Sequence, residues 1–239
     1  MQPCQSGCQA ARKSSAEAQA RAELLSTSSY QVTVDLTGSA TTFTSTSTIV
    51  FSSGAGSTFV DLIADSIVEA TLDDAPLDFS AYNGERVPLD LTIGDHVLAI
   101  TAVCRYSNTG EGLHRFVDPV DERIYCYTQL EVADARRVYA CFEQPDLKAT
   151  FAFSVIAPAH WTVLSNSPEV EPLVAGQLGR WEFIPTPPIS TYITALIAGF
   201  VGYLHHGIGN GGFLAAIHAE AFGQHWTTSL IFDLGIYLA

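Results

Sequence analysis

The 239-residue chain sets 25 acidic side chains against 11 basic ones, a net charge of −14, and is 47% hydrophobic but only 15% charged. That balance excludes a disordered polyelectrolyte. With no basic footprint to release counterions, it also argues against a nucleic-acid backbone or an anionic membrane as partner. An acidic surface serves solubility, and it can also draw a cationic group such as a peptide N-terminus into a cleft.

The first residues lack the continuous apolar core of a signal peptide, and Arg12 and Lys13 follow their small-residue stretch rather than precede it. Cys4-x3-Cys8 has no second pair placed to complete a tetrahedral metal site and reads as two ordinary thiols. With Cys104, Cys126 and Cys141 the cysteines form an odd set without the spacing of a disulfide framework, which implies a reducing compartment and a cytoplasmic location. Cys126 and Cys141 sit in apolar, strand-like surroundings and are expected to behave as small buried hydrophobes.

From Ser14 or Ser15 to about Leu25, strong helix formers behind a serine N-cap predict one short helix. The period then switches to two. Tyr30, Val32, Val34 and Leu36 alternate with Gln31, Thr33 and Asp35, placing the apolar set on one face of a strand. Further strands are expected over Phe43–Phe51, Thr58–Ile63, Ser66–Leu72, Val87–Leu91 and His96–Cys104, with a turn at Asp73–Pro76.

Beyond a loop at Asn108–Gly112, strands are expected over Ile124–Leu130, Ala149–Ile156, Trp161–Leu164, Arg180–Ile184 and Thr191–Ala198. Many short strands with no intervening helices predict an all-β fold, an antiparallel sandwich or saddle-like sheet assembly. After about Gly199 the composition changes to a glycine- and histidine-rich tail with only Glu220 and Asp233 as charges. Its apolar runs fall short of the ~18–20 residues a transmembrane helix needs.

The most specific stretch runs from Tyr127-Thr128-Gln129-Leu130-Glu131 through Ala135-Arg136 and Cys141-Phe142-Glu143-Gln144-Pro145-Asp146 to Lys148-Ala149-Thr150-Phe151. It resembles the N-terminal domain signature of the aminopeptidase N family of zinc metallopeptidases. Gly112-Leu113-His114-Arg115-Phe116 and Ile124-Tyr125 upstream, and Val163-Leu164-Ser165-Asn166 and Pro187-Pro188-Ile189-Ser190-Thr191-Tyr192 downstream, extend the resemblance to roughly residues 15–199. One departure is Glu143-Gln144-Pro145, where many relatives have Asp-Glu-Pro; the turn keeps an acidic residue.

The resemblance implies a β-domain that walls a substrate cleft. It assigns to Gln129 and Glu131 the holding of a peptide's free amino group and first side chain. The chemistry suits the role, since an amide carbonyl and a carboxylate both accept hydrogen bonds from an ammonium and the carboxylate adds charge. On periodicity alone, Gln129 reads as a strand-end residue and Glu131 as a solvated one. The family's zinc is carried by an H-E-x-x-H helix and its substrate loop by Gly-x-Met-Glu-Asn. Neither motif occurs in these residues, and Met1 is the single methionine.

Other constellations are weak. His205, His206, His218 and His225 have no pair at the i, i+4 spacing of helical ligands. Gly207-Ile208-Gly209-Asn210-Gly211-Gly212 has a dinucleotide-loop spelling, with too little chain around it to build a doubly wound sheet. Asp118, Asp121 and Glu122 lack the spacing of a calcium loop.

The expectation is an atypical leader over 1–14, an aminopeptidase N-type β-domain over 15–199, and a tail over 200–239 in a truncated or frame-disrupted product. That domain would contact a peptide N-terminus, with zinc and catalysis supplied by a missing domain, and would be inactive alone. A second expectation is a stand-alone β-sandwich binding module without catalysis.

Overall fold

The structure, a computed structural model, describes residues 15–119 and 122–199. The leader with Cys4 and Cys8, Asp121, the tail histidines and the glycine-rich tail loop lie outside the described residues. The predicted helix is present as α1, Ser15–Leu24. It leads directly into β1 (Leu25–Asp35), whose buried Tyr30, Val32 and Val34 follow the predicted period of two.

The strands that follow are β2 (Thr42–Ser53), β3 (Gly56–Asp61), β4 (Ser66–Leu72), β5 (Ala75–Pro76), β6 (Arg86–Leu91) and β7 (Gly94–Arg105). Then come β8 (Gly112–Val117), β9 (Ile124–Gln129), β10 (Thr150–Pro158), β11 (Thr162–Ser165), β12 (Leu173–Ala175), β13 (Leu178–Glu182) and β14 (Leu196–Gly199). An eight-stranded sheet has the order β12-β13-β10-β1-β2-β7-β4-β5, a four-stranded sheet the order β11-β14-β9-β8, and β3 and β6 pair alone. The described residues are therefore all-β with one short α-helix, as expected. No helix among the described residues is long and apolar enough to cross a membrane.

Three details differ from the sequence reading. β1 and β10 pair in parallel, Tyr30 opposite Phe151 and Val32 opposite Phe153, although the remaining named pairs are antiparallel. A parallel pair needs a long crossover, and here the whole run from β2 to β9 supplies it. Second, β8 and β12 form where no strand is expected, and Gly112 opens β8 instead of closing a loop. Third, Thr191–Ala198 is not one strand: Thr191–Ile193 is a 3-10 turn, and only Leu196–Gly199 enters a sheet.

One apolar cluster joins the three sheets. At its centre Tyr30 stacks on Phe151 at 4.7 Å, and the Tyr139 ring meets Tyr30, Phe151 and Phe153 edge-on at 6.4, 6.2 and 5.9 Å. From the four-stranded sheet, Cys126, Ala198 and Val163 form a buried cross-strand row that faces this core.

The motif behind the family resemblance is mostly a structural knot. Glu143 Oε2 accepts the Arg136 N–H at 2.8 Å, and Oε1 accepts the Thr191 hydroxyl at 2.6 Å. The Glu143 N–H donates to Asp61 Oδ2 at 3.1 Å, and that oxygen also accepts Arg21 Nη1 from α1 at 2.8 Å. Phe142 N–H donates to the Tyr30 hydroxyl at 3.2 Å, and the Tyr139 hydroxyl meets Thr194 Oγ1 at 2.8 Å. Buried polar groups must be satisfied, so these bonds tie α1, β1, β3 and the Thr191 turn to residues 136–143.

Candidate functional site

β9 carries the candidate residues to the edge of this knot. Cys126 and Thr128 are buried on its core side, while Tyr125, Tyr127 and Gln129 lie on the opposite face, as period two dictates. The Thr128 hydroxyl accepts the Leu196 N–H at 2.9 Å, stitching β9 to the start of β14. Gly199 closes that strand pair at φ 150°, where a side chain would run into the Ile124 carbonyl. Leu130, the first residue beyond the strand, is buried.

The chain then turns sharply, closed by the Asp134 N–H donating to the Leu130 carbonyl at 3.1 Å. Glu131, Val132 and Ala133 form its exposed tip, with Val132 69% exposed and a cis peptide between Glu131 and Val132. The structure thus brings both sequence-predicted residues to one corner. Gln129 is half-buried at the last strand position and Glu131 is exposed in the turn that follows. Neither side chain makes a hydrogen bond or ion pair among the described residues.

Two neighbouring arginines hold the turn. Arg136 Nε donates to the Ala133 carbonyl at 2.9 Å, and Arg137 Nε donates to Asp134 Oδ1 at 2.6 Å. Arg137 Nη2 also lies 3.2 Å from Glu111 Oε2, on the residue before β8. Of the carboxylates around the corner, Glu111 and Asp134 share one guanidinium while Glu131 stays uncompensated. Arg136 and Arg137 lie within the resemblance but carried no role in the sequence reading. Their signal was two adjacent cations, just after an acidic turn, in a chain with few bases.

His114 on β8 is in register with Tyr127 and stacked on it at 4.9 Å. Its Nδ1 accepts the Gly110 N–H at 3.1 Å, and burial pushes its pKa below the usual histidine value, which favours the neutral ring. An open cavity of about 590 Å³ lies elsewhere, at the Ile124 end of β9, lined among others by Arg115, Trp161 and Leu178. Neither Gln129 nor Glu131 lines it.

The described residues do not fit a zinc ion. No three His, Cys, Asp or Glu side chains among them converge. The Cys104 and Cys126 thiols are pushed up to about 12 by burial, and a metal needs the thiolate. Cys104, Cys126 and Cys141 are buried and not joined in disulfides, and for Cys126 and Cys141 that burial is the expected one. Asp118 and Glu122 share a turn through the Glu122 N–H and the Asp118 carbonyl at 2.9 Å, with no third ligand among the described residues.

Residues 26–193 match the family model of the Peptidase M1 N-terminal domain. The chain is 52% identical over 189 residues to Aminopeptidase N of Streptomyces lividans, a match covering 77% of this chain and 22% of that protein. It is 33% identical over 151 residues to Aminopeptidase N of Acetobacter pasteurianus, covering 61% of this chain and 41% of that protein. It is also 25% identical over 169 residues to Aminopeptidase M1-D of Oryza sativa, covering 68% and 19%. The matched part therefore spans less than half the length of these relatives. Their names favour an aminopeptidase context over a stand-alone binding module. With a family match over most of its length and the all-β fold expected of it, the chain belongs to the aminopeptidase N family through its peptidase M1 N-terminal domain.

Proposed function

We propose that this domain forms the substrate-side wall of a zinc-dependent aminopeptidase cleft, in which Gln129 and Glu131 receive the free amino group of a peptide. The observation that carries the reading is the state of Glu131: exposed, uncompensated, and two residues from a half-buried Gln129 whose side chain is also unengaged. An ammonium arriving there gains a charge-assisted hydrogen bond from the carboxylate and a neutral one from the amide oxygen. The net charge of −14 steers a cation toward the surface.

Hydrolysis needs a polarised carbonyl, an activated water and a base. The 239 residues hold no H-E-x-x-H. The reading therefore assigns zinc and the chemical step to a catalytic domain and leaves this chain inactive alone.

The test for the amino-group site is an amide chemical-shift titration of the chain with L-leucinamide and with N-acetyl-L-leucinamide. Shifts over residues 129–134 with the free amine only, weakened in Glu131→Gln, are expected. Equal responses to the two probes, or none at that corner, would sink the assignment. For the inactivity, an aminoacyl-anilide with added zinc is expected to remain intact, and chelator-sensitive turnover would overturn it.

A further inference from the structure

We propose that Arg137 is the positioning residue of the amino-group site, a single side chain that sets both Gln129 and Glu131. The inference rests on the amino-group reading of that corner. Gln129 is in cross-strand register with Gly112, and the aliphatic stem of Arg137 lies against that glycine. Gly112 has φ 65°, and a Cβ built on it would stand 2.8 Å from Arg137 Cβ. The position therefore needs glycine twice over, for its backbone and for the room it gives the arginine.

From there the guanidinium forks. Its Nε takes Asp134, the residue whose N–H closes the turn bearing Glu131, and its Nη2 reaches Glu111. One side chain, by its stem at Gly112 and its guanidinium at Asp134, thus links the strand partner of Gln129 to the turn of Glu131. It also engages two competing carboxylates, leaving Glu131 as the corner's uncompensated anion. Lysine carries the same charge on a flexible point and cannot reproduce the fork, so Arg137→Lys removes the geometry while keeping the charge count.

The experiment measures two things on wild type, Arg137→Lys, Glu131→Gln and the double variant: hydrogen exchange of the Asp134 amide, and the L-leucinamide response at residues 129–134. In Arg137→Lys, exchange at Asp134 is expected to speed up and leucinamide to bind about fivefold more weakly, the scale of a partly exposed charge contact. In the Glu131→Gln background the lysine substitution should add only a small part of that binding loss, the part that passes through Gln129, because the larger part acts through Glu131. A merely structural arginine would weaken both backgrounds alike.

Unchanged Asp134 exchange in Arg137→Lys overturns the proposal whatever the ligand does. Amine discrimination by wild type that survives intact in Arg137→Lys overturns it alone. No discrimination by wild type overturns the amino-group reading and the positioning role with it.

Discussion

Arg21 on the N-terminal helix and Asp61 at the end of β3 meet in a 2.8 Å ion pair whose side chains are 2% and 0% exposed. The Asp61 oxygen in that pair also takes the Glu143 N–H, and the Arg21 guanidinium lies 4.0 Å over the Phe59 ring. The pair thus fastens α1 to the knot behind the candidate site. Breaking a buried pair leaves one charge desolvated without its counter-charge, at a typical cost of about 3–5 kcal/mol. Asp61→Asn is expected to destabilise the chain by about that amount in urea unfolding. Arg21→Met combined with Asp61→Asn should recover most of the loss, since the amide still accepts the Glu143 N–H. A double variant as unstable as the single would show that the charge is not what matters.

Stability should depend on pH through Asp73 and His96. Nδ1 of His96 faces Asp73 Oδ2 at 2.7 Å, and Nε2 faces the Thr92 carbonyl at 3.0 Å. Both partners are acceptors, so only the imidazolium donates to both. Burial alone would lower the His96 pKa, but the Asp73 carboxylate and the Thr92 carbonyl together raise it. For Asp73 burial opposes ionisation, and the bonds from His96 and the Val97 N–H outweigh it and lower its pKa. The histidine contribution is fully present below its unfolded value of about 6.5 and fades as pH rises through the raised folded value. The aspartate contribution is present above its unfolded value of about 3.9 and fades as pH falls through the lowered one. Between those limits the pair is at full strength, worth about 0.5–1 kcal/mol once the half-exposed aspartate is discounted for screening. The urea midpoint should fall on either side of that window, and His96→Gln should flatten the profile there. A histidine variant with an unchanged profile would refute the assignment.

Much of this architecture was legible in the sequence. β4 forms over the expected Ser66–Leu72, and the alternation from Tyr30 onward marks β1, because a half-buried strand writes its two faces into every second residue. β12 left no such trace, since its three residues are all exposed at a sheet edge and need no apolar face. The turn at Thr191–Ile193 was illegible for another reason. Its hydroxyl partner Glu143 lies far away in sequence, and such a tertiary bond leaves no local period. Gln129 and Glu131 came from the resemblance alone. That Glu131 stays uncompensated while Arg137 takes its neighbours depends on a contact between Arg137 and Glu111, just before β8, which no spacing along the chain reveals.

The cysteines offer a test of burial. With their thiols pushed up to about 12, Cys104 and Cys126 hold a negligible thiolate fraction near neutrality. Peptide mapping after iodoacetamide treatment at pH 8 should find both unmodified, with labelling after guanidinium unfolding. Rapid modification of either in the native protein would contradict their placement in the core.

Thr128 connects stability to the site, because its neighbour in the chain is Gln129. Its hydroxyl oxygen takes the Leu196 N–H at 2.9 Å, at a position where both residues are buried and no water can substitute. Thr128→Val keeps the shape and β-branching but orphans that N–H, a loss of about 1–3 kcal/mol. Thr128→Ser keeps the hydroxyl and gives up one methyl group, for about 1 kcal/mol. The two variants separate hydrogen bonding from packing: valine should be the more damaging and should raise hydrogen exchange at Leu196, whereas serine should leave that amide protected. Were serine the worse of the two, packing against the methyl would be what holds β9 to β14. The corner bearing Gln129 and Glu131 would then rest on the apolar row behind it instead of on this bond.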